Sequence, residues 1–269
     1  MNPFSDPRYL RTAQYKDSGN LGARAALHQR FSTNPRGWPR WAFEALLPYL
    51  RGQVLEVGGG PGWLWRQNAD RLPPGVRVCF SDLSAGMARE ARSALPAAGF
   101  AFLNLDVQAL PFPDGTFSTV IANHMLYHVP DLPRAVRELA RVIAPGGVLF
   151  AATNGASHLR ELDELIHAFE PGFHDSFGAL ISTFSLENAA AVLAAGFAHV
   201  ELHRYPDALW VTEAQPLTDY MLSLTGDDPR LTPARAAEAT RFFQARLDAA
   251  GGGLPITKDS GYALARQAP

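Results

Sequence analysis

The residues best suited to hold a ligand crowd into one stretch, Val54-Leu-Glu-Val-Gly-Gly-Gly-Pro-Gly-Trp-Leu-Trp65. An acid, Glu56, stands two residues before a glycine turn made of Gly58, Gly59, Gly60 and Gly62. Such glycines permit positive φ and remove Cβ atoms, so a ligand can lie against bare backbone. A helix that starts just after the turn adds unpaired N–H groups and the positive end of a dipole. This is not a phosphate loop, which needs Lys and then Ser or Thr after the last glycine, where Trp63-Leu64 stands. Nor is it G-x-G-x-x-G, because from Gly58 the third glycine of that pattern falls on Trp63.

Further polar residues follow at regular intervals. Asp82 lies about twenty residues beyond the glycine turn, where an acid at the end of a second strand accepts hydrogen bonds from ribose hydroxyls. Each bond of that kind to a charged acceptor contributes roughly 1.5–3 kcal/mol. The competing role, capping the helix from Ala85 to Leu95, can be filled by Ser84 alone. Met87, one turn into that helix, is placed to cover a flat ring, or to serve as plain core. Asp106-Val107 ends a third apolar run, and Asn123-His124 ends a fourth.

The elements that carry these residues alternate. Val54–Val57, Val76–Phe80, Phe100–Leu105, Phe117–Ala122 and Val148–Ala152 read as strands. Between them lie helical patterns, including Trp63–Leu72, Ala85–Leu95 and a face of Leu132, Val136, Leu139, Val142 and Ile143 that Asp131 caps. Strand and helix in alternation, with short connections, argue an α/β fold with a parallel sheet. Ligands bind such sheets outside the carboxyl ends of the strands. The glycine turn, Asp82, Asp106 and Asn123 all fall there, so together they describe one crevice. Ahead of the sheet, Arg8–Phe31 reads as one or two short helices broken near Gly19 and Gly22, and Trp38–Leu50 as a helix. Beyond it come helices over 158–169, 185–195, 216–225 and 233–250, an irregular aromatic stretch over 171–184, strands over 198–204 and 209–211, and a last strand within 256–267.

Three segments, Glu56-x-Gly58-x-Gly60-x-Gly62, the run from Asp106-Val107 through Asp114-Gly to Phe117, and Arg141-Val-Ile-Ala-Pro-Gly-Gly-Val-Leu, resemble motifs of the class I S-adenosylmethionine-dependent methyltransferases. The resemblance covers about residues 50–153 and is to the small-molecule branch that contains the ubiquinone/menaquinone-biosynthesis methylases. It implies a Rossmann-like sheet, seven-stranded and mostly parallel, with helices on both faces and an antiparallel last strand beside the sixth. It implies an N-terminal helical lid, residues 1–37, over a methyltransferase domain of residues 38–269, in which 155–185 and 205–255 are additions that shape the acceptor site. For the cofactor S-adenosylmethionine it implies Glu56 near the amino end of the methionine moiety and Gly58, Gly59, Gly60 and Gly62 beneath it. Asp82 and Leu83 then meet the ribose, Met87 and the Val107 backbone meet the adenine ring, Asp106 takes the adenine amino group, and Asn123 closes the crevice. Trp63 and Trp65 depart from the pattern, being bulky where small residues are usual; they pack the N-terminal segment or narrow the methionine end.

Methyl transfer from a sulfonium is an in-line displacement with a good leaving group, so collinear positioning in a dry site is the main task. A hydroxyl acceptor benefits from a base as well. His124, directly after Asn123, is the best-placed candidate catalytic residue. Tyr127, His128, His28 and the pair His174-Asp175 are others, each of which also fits a plain packing or capping role. Tyr15, Phe31, Trp38 and Trp41 either line an aromatic acceptor pocket or fasten the N-terminal helices.

Composition narrows the partners. Net charge is −2 with 19% charged residues in a chain of 269, which offers nucleic acid no basic stripe. No run approaches the ~18 apolar residues of a membrane span, so no membrane insertion is expected. The start does not read as a signal peptide, and a cytoplasmic location is the expectation. The single cysteine, Cys79, excludes an intrachain disulfide, and no carboxylate set suggests a metal. The expected partner is a small-molecule acceptor; oligomeric state is left open. Two other functions stay in view: a methylase-like regulator that binds the cofactor without turnover, and a nicotinamide oxidoreductase on a related sheet.

Overall fold

The computed structural model describes residues 6–172, 180–225 and 232–268. Its centre is a seven-stranded sheet built from β1 (Gln53–Val57), β2 (Arg77–Asp82), β3 (Phe100–Asn104), β4 (Phe117–Asn123), β5 (Ile143–Asn154), β6 (His199–Arg204) and β9 (Ser260–Arg266), in the order β3-β2-β1-β4-β5-β9-β6. β1 pairs in parallel with β2 and β4, β2 with β3 and β4 with β5, whereas β9 runs antiparallel to both β5 and β6. The strand order reverses between β1 and β4, which places the crevice beside the glycine turn. The inner strands are buried on both faces, as their near-continuous apolar runs require. A small second sheet pairs β7 (Ala208–Val211) with β8 (Leu254–Thr257).

Helices cover both faces. On one face, α6 (Leu132–Val142) buries Leu132, Val136, Leu139 and Val142, spaced for a single stripe. Each such aliphatic side chain contributes about 1.5–3 kcal/mol on burial. The Asp131 carboxylate caps this helix by accepting from the Arg134 N–H at 3.0 Å. On the other face, α3 (Trp38–Leu46) and α5 (Ala85–Ala94) pack against Val54, Val78, Phe80 and Phe150. Ser84 caps α5, its hydroxyl accepting from the Met87 N–H.

Several boundaries differ from the sequence reading. The helix expected over 63–72 is a single turn, α4 (Trp63–Arg66), followed by a 3-10 turn over Ala69–Arg71. Asn68 ends it: its side-chain amide donates to the Leu64 carbonyl at 2.7 Å and to the Pro39 carbonyl at 3.1 Å, competing with the helical backbone. In the N-terminal segment, α1 (Pro7–Tyr9) runs into a wide turn over Leu10–Gln14, and α2 (Gly19–Phe31) then passes through Gly22 without a break. Leu27 and Phe31 hold α2 in the core, and that packing outweighs the local cost of glycine. Pro48, which has no N–H to give, turns the end of α3 into a 3-10 turn over Leu47–Tyr49. α7 (Arg160–Phe169), α8 (Ala189–Leu193), α9 (Ala214–Thr225) and α10 (Pro233–Ala249) complete the described helices, and α9 packs between α2 and α10.

Candidate active site

A cavity of about 360 Å³ opens along the carboxyl edge of the sheet. Of the residues singled out in the sequence, Glu56, Gly58, Gly59, Gly60, Asp82, Leu83, Met87, Asp106, Val107, Asn123 and His124 all line it. Gly62 does not. It takes a left-handed conformation at the start of α4, and a Cβ there would stand 2.9 Å from Leu95, which follows α5. The turn's glycines thus divide the work. At Gly58 a Cβ would strike Met125 at 2.8 Å, and at Gly59 it would strike the Phe80 ring, so these two are glycine because protein packs on them. Gly60 faces the cavity, with Leu21 of α2 on the opposite side.

The turn is held from below. Gly59 N–H donates to the Ser81 carbonyl at 3.0 Å, and the Ser81 hydroxyl donates to the Glu56 carbonyl at 2.8 Å. The Asp82 carboxylate accepts from Gly60 N–H at 2.8 Å and from Ser84 N–H at 2.7 Å. It therefore fixes the glycine turn to the start of α5 while its remaining lone pairs stay available to a ligand. Burial pushes Asp82 up to about 6, against the two backbone donors.

Glu56 is buried, and its carboxylate accepts from the Trp65 indole N–H at 2.5 Å and from the Asn123 amide at 3.4 Å. Burial pushes Glu56 up to about 7 despite those bonds. Trp65 is thus accounted for: it points into the core between Phe43 and Phe100 and anchors Glu56, while Trp63 lines the cavity. Asp106 accepts from the Gln108 backbone and side-chain N–H groups. The loop that follows is pinned by Arg141, whose guanidinium donates to Glu138, Asp114 and the carbonyls of Leu110 and Phe112. Sequence reading noticed the Arg141 motif but not this anchoring.

At the cavity's other end the wall is aromatic and basic. His124 has φ 51°, a sparsely populated conformation for a side chain of its size, and its ring meets Trp38 edge-on at 5.1 Å. His28 stacks on His158 at 5.4 Å. Burial, with a contribution from the Lys258 charge, holds His124 down to about 4; burial and the charges of His124 and Lys258 hold His158 down to about 3. Ser260 donates its hydroxyl hydrogen to Asn154 at 2.8 Å and lies 3.3 Å from His158 Nδ1. His158, Asn154, Lys258 and Ser260 were not picked out in the sequence as site residues. One signal was there: an antiparallel last strand begins at the edge where its neighbours end, so Lys258-Asp-Ser260 had to fall at the crevice.

The N-terminal segment forms one wall of the cavity. Tyr15, Leu21, Arg24, Ala25 and His28 all line it. The Arg24 guanidinium donates to the Tyr15 hydroxyl at 3.3 Å, and the same hydroxyl is hydrogen-bonded to His128 Nε2 at 2.9 Å. The Ser84 hydroxyl donates to the Tyr15 carbonyl at 2.8 Å. At Gly86 a Cβ would collide with the Lys16 carbonyl, so the strap over 15–18 lies directly on α5. Of the aromatics expected at an acceptor pocket or a fastening, Trp38 lines the cavity, whereas Trp41 packs on Tyr205 and Tyr262 and Phe31 lies in the core. His174-Asp175 lie outside the described residues.

Comparison with known proteins agrees with this geometry. Residues 55–151 match the methyltransferase domain family. A malonyl-[acyl-carrier protein] O-methyltransferase of Geobacter sulfurreducens is 30% identical over 209 residues, covering 73% of each chain. The chain belongs to the class I S-adenosylmethionine-dependent methyltransferases. A ubiquinone/menaquinone biosynthesis C-methyltransferase of Hahella chejuensis is 32% identical over 118 residues, 42% of this chain and 47% of that one. The chain spans 47–60% of the length of the first curated relatives it matches. Among solved structures, a Haemonchus contortus phosphoethanolamine N-methyltransferase bound to S-adenosyl-L-methionine shares the fold, with a TM-score of 0.58 at 17% identity over 97% of this chain and 60% of that one. The family assignment displaces the nicotinamide-oxidoreductase alternative.

The residues present fit the family's cofactor. Asn123 Oδ1 is buried beside Glu56 with no hydrogen-bond partner, and an ammonium group in that corner would meet both. Asp82 would take the ribose hydroxyls. Met87 and Val107 offer buried apolar cover for the adenine, whose amino group would share Asp106 with Gln108.

Proposed function

We propose that this methyltransferase acts on a small organic acceptor held at the histidine-lined end of the cavity, with residues 1–37 as the lid and residues 38–269 as the methyltransferase domain. The observation that carries the reading is one continuous cavity with two unlike ends, a carboxylate-lined end at the strand termini and an aromatic, basic end beyond His124. When bound, S-adenosylmethionine supplies an electrophilic methyl group on a sulfonium. The chain supplies the rest. Glu56, Asp82 and Asp106 hold the polar groups of the cofactor at three strand ends, and the Tyr15–His128 contact and the strap on α5 keep water out. His124 joins the two ends: it follows Asn123 directly and packs on Trp38, so it stands where acceptor and methyl group meet. The additions over 155–185 and 205–255 supply His158 and, through α9, Tyr220 to the acceptor wall. The relatives named above are a ubiquinone/menaquinone biosynthesis C-methyltransferase and a malonyl-[acyl-carrier protein] O-methyltransferase, so both carbon and oxygen acceptors are to be tried.

The test is turnover. The protein is incubated with methyl-labelled S-adenosylmethionine and a panel of phenols, enols, carboxylic acids and amines, and S-adenosylhomocysteine is quantified. Acceptor-dependent release supports the reading. Tight S-adenosylhomocysteine binding without release for any acceptor favours the regulator alternative.

A further inference from the structure

The acceptor end has a charge character that selects among those acceptors. The acids of the cavity wall, Glu56, Asp82 and Asp106, all stand at the cofactor end. Among the described residues, no carboxylate lines the other end, where His28, His124, His158 and Lys258 meet from four separate segments.

Lys258 is the charged member. It is buried, and its ammonium spends one of three N–H groups on Asp207, at 2.6 Å. Asp207 is held by other donors as well: the hydroxyls of Ser32 and Thr33 and the backbone N–H groups of Asn34 and Ala208 donate to the same carboxylate. The pair compensates for burying the charge and leaves Lys258 with donors for a ligand. Next to it stands a hydrogen acceptor. Ser260 has given its only hydrogen to Asn154, so it accepts from His158 Nδ1–H, and the lone pair of the neutral imidazole is then on Nε2. The partly stacked His28 adds a buried Nδ1 without any hydrogen-bond partner. A cationic donor beside a neutral imidazole lone pair is the arrangement that receives O–H: the oxygen accepts from the ammonium and the hydrogen goes to the imidazole. An ammonium acceptor would face Lys258 with no carboxylate to meet it.

Resting on the methyltransferase reading above, we propose that the acceptor is an acidic hydroxyl, a phenol or an enol, on an apolar body, with Lys258 holding its oxygen and His158 taking its proton. The O–H bond breaks as the proton passes to His158 Nε2. The oxygen's electron pair forms the new bond to the methyl carbon while the carbon–sulfur bond breaks, and the sulfur keeps that pair. Burial and the nearby positive charge keep His158 unprotonated until an oxyanion forms beside it. The charged and titratable groups around Lys258 are Asp207, its partner, the Tyr205 ring beneath it at 5.0 Å, and His28, His124 and His158, all of which feel its charge; Arg24 faces His28 from the lid.

The test uses 4-nitrophenol, whose phenolate is coloured, bound to the full chain saturated with S-adenosylhomocysteine. The expected result is ionisation of the bound probe at least about one pH unit below that of the free probe, a tenfold change in the equilibrium. Lys258→Met should abolish the shift, and Ser260→Ala, which leaves the Lys258–Asp207 pair intact, should reduce the rate of methylation and move its pH profile more than the probe's affinity. 4-Nitrobenzylamine should bind at least about tenfold more weakly than the phenol. An unshifted or raised ionisation, equal binding of the amine, or no binding of the phenol overturns the proposal. S-adenosylhomocysteine titration of each variant shows whether it has folded. If the wild-type chain does not bind S-adenosylhomocysteine, it is the underlying methyltransferase reading that fails.

Discussion

The two ends of the cavity are built by opposite means. The cofactor end uses short-range devices, in which each polar residue sits at the end of its own strand and is held by neighbours in sequence or by the adjacent strand. Asp82, bonded to Gly60 and Ser84, is the clearest case. The acceptor end is assembled from residues 28, 124, 158 and 258, which meet only once the sheet is complete and β9 has inserted between β5 and β6. The chemistry differs too: buried acids with raised affinity for protons at one end, buried imidazoles with lowered affinity at the other. A common cofactor can be met by a fixed set of strand ends, whereas a particular acceptor has to be met by segments free to vary.

The largest effect that can break this contrast is at Asp82. Asp82→Ala removes the acceptor proposed for the ribose and also frees Gly60 N–H and Ser84 N–H. S-adenosylhomocysteine binding should weaken by about 100-fold or more, as loss of roughly 1.5–3 kcal/mol per charge-assisted bond requires. Calorimetry would read this directly; a change below about threefold would mean that the ribose is held elsewhere.

The ends should also respond to pH with opposite sign. Glu56 and Asp82 bind protons more tightly in the folded chain than at their ordinary values of 4.5 and 3.8. Their contribution to stability is therefore full below those values and is lost as pH rises toward about 7 and about 6. His124 and His158 behave in reverse. Their contribution is full above 6.5 and is lost as pH falls through about 4 and about 3. Thermal melting between about pH 4 and pH 8 should show Glu56→Gln removing a loss on the alkaline side and His158→Gln removing one on the acid side. An ammonium in the place proposed for it beside Glu56 would favour the ionised carboxylate, so S-adenosylhomocysteine affinity should rise with pH and level off above about 7, with proton release visible as a buffer-dependent heat. Binding that weakens with rising pH would contradict the placement of that ammonium.

A third prediction concerns the N-terminal segment, which contributes to the wall at both ends. Gly→Ala inside a helix ordinarily gains roughly 0.5–1 kcal/mol. Gly86→Ala should instead lose stability and cofactor affinity, because the new Cβ pushes the Lys16 carbonyl and its strap off α5. Faster proteolysis in the N-terminal segment would accompany it, and a stabilised variant would show that the strap does not rest there. The smallest effect is expected for Tyr15→Phe, which removes the bond to His128 and the acceptor for Arg24. A loss of about 1 kcal/mol in cofactor affinity is expected from calorimetry, with fold stability little changed.

Most of the sheet was legible in the sequence for the same reason that the cofactor end was. Strand, turn and helix repeat in a short period, and the rule that ligands bind at carboxyl strand ends converts chain position into spatial position. Reading failed where a side chain overrode local preference, as when Asn68 closed α4 after one turn and when core packing carried α2 through Gly22. The glycine turn was read as a ligand-facing surface, with one uniform reason for every glycine. In the structure Gly58, Gly59 and Gly62 also make room for Met125, Phe80 and Leu95, whereas at Gly60 a Cβ would meet nothing nearer than Leu21 of α2, at 3.7 Å. Trp65 looked like a departure and is instead the hydrogen-bond donor that holds Glu56. His124 and His28 could be picked as candidates because histidine is a rare and telling residue. The direction of the last strand could have brought Lys258 to the crevice, but not its pairing with Asp207, since nothing in either local sequence announces a buried ion pair between residues on separate segments.

The most direct test of the account is calorimetric titration of the wild-type chain with S-adenosylhomocysteine, run beside NADH. One-to-one binding of S-adenosylhomocysteine in the micromolar range, with proton release and no heat from NADH, is the predicted result. No binding of S-adenosylhomocysteine, or binding of NADH in its place, would contradict the assignment of Glu56, Asp82 and Asp106 to a cofactor site.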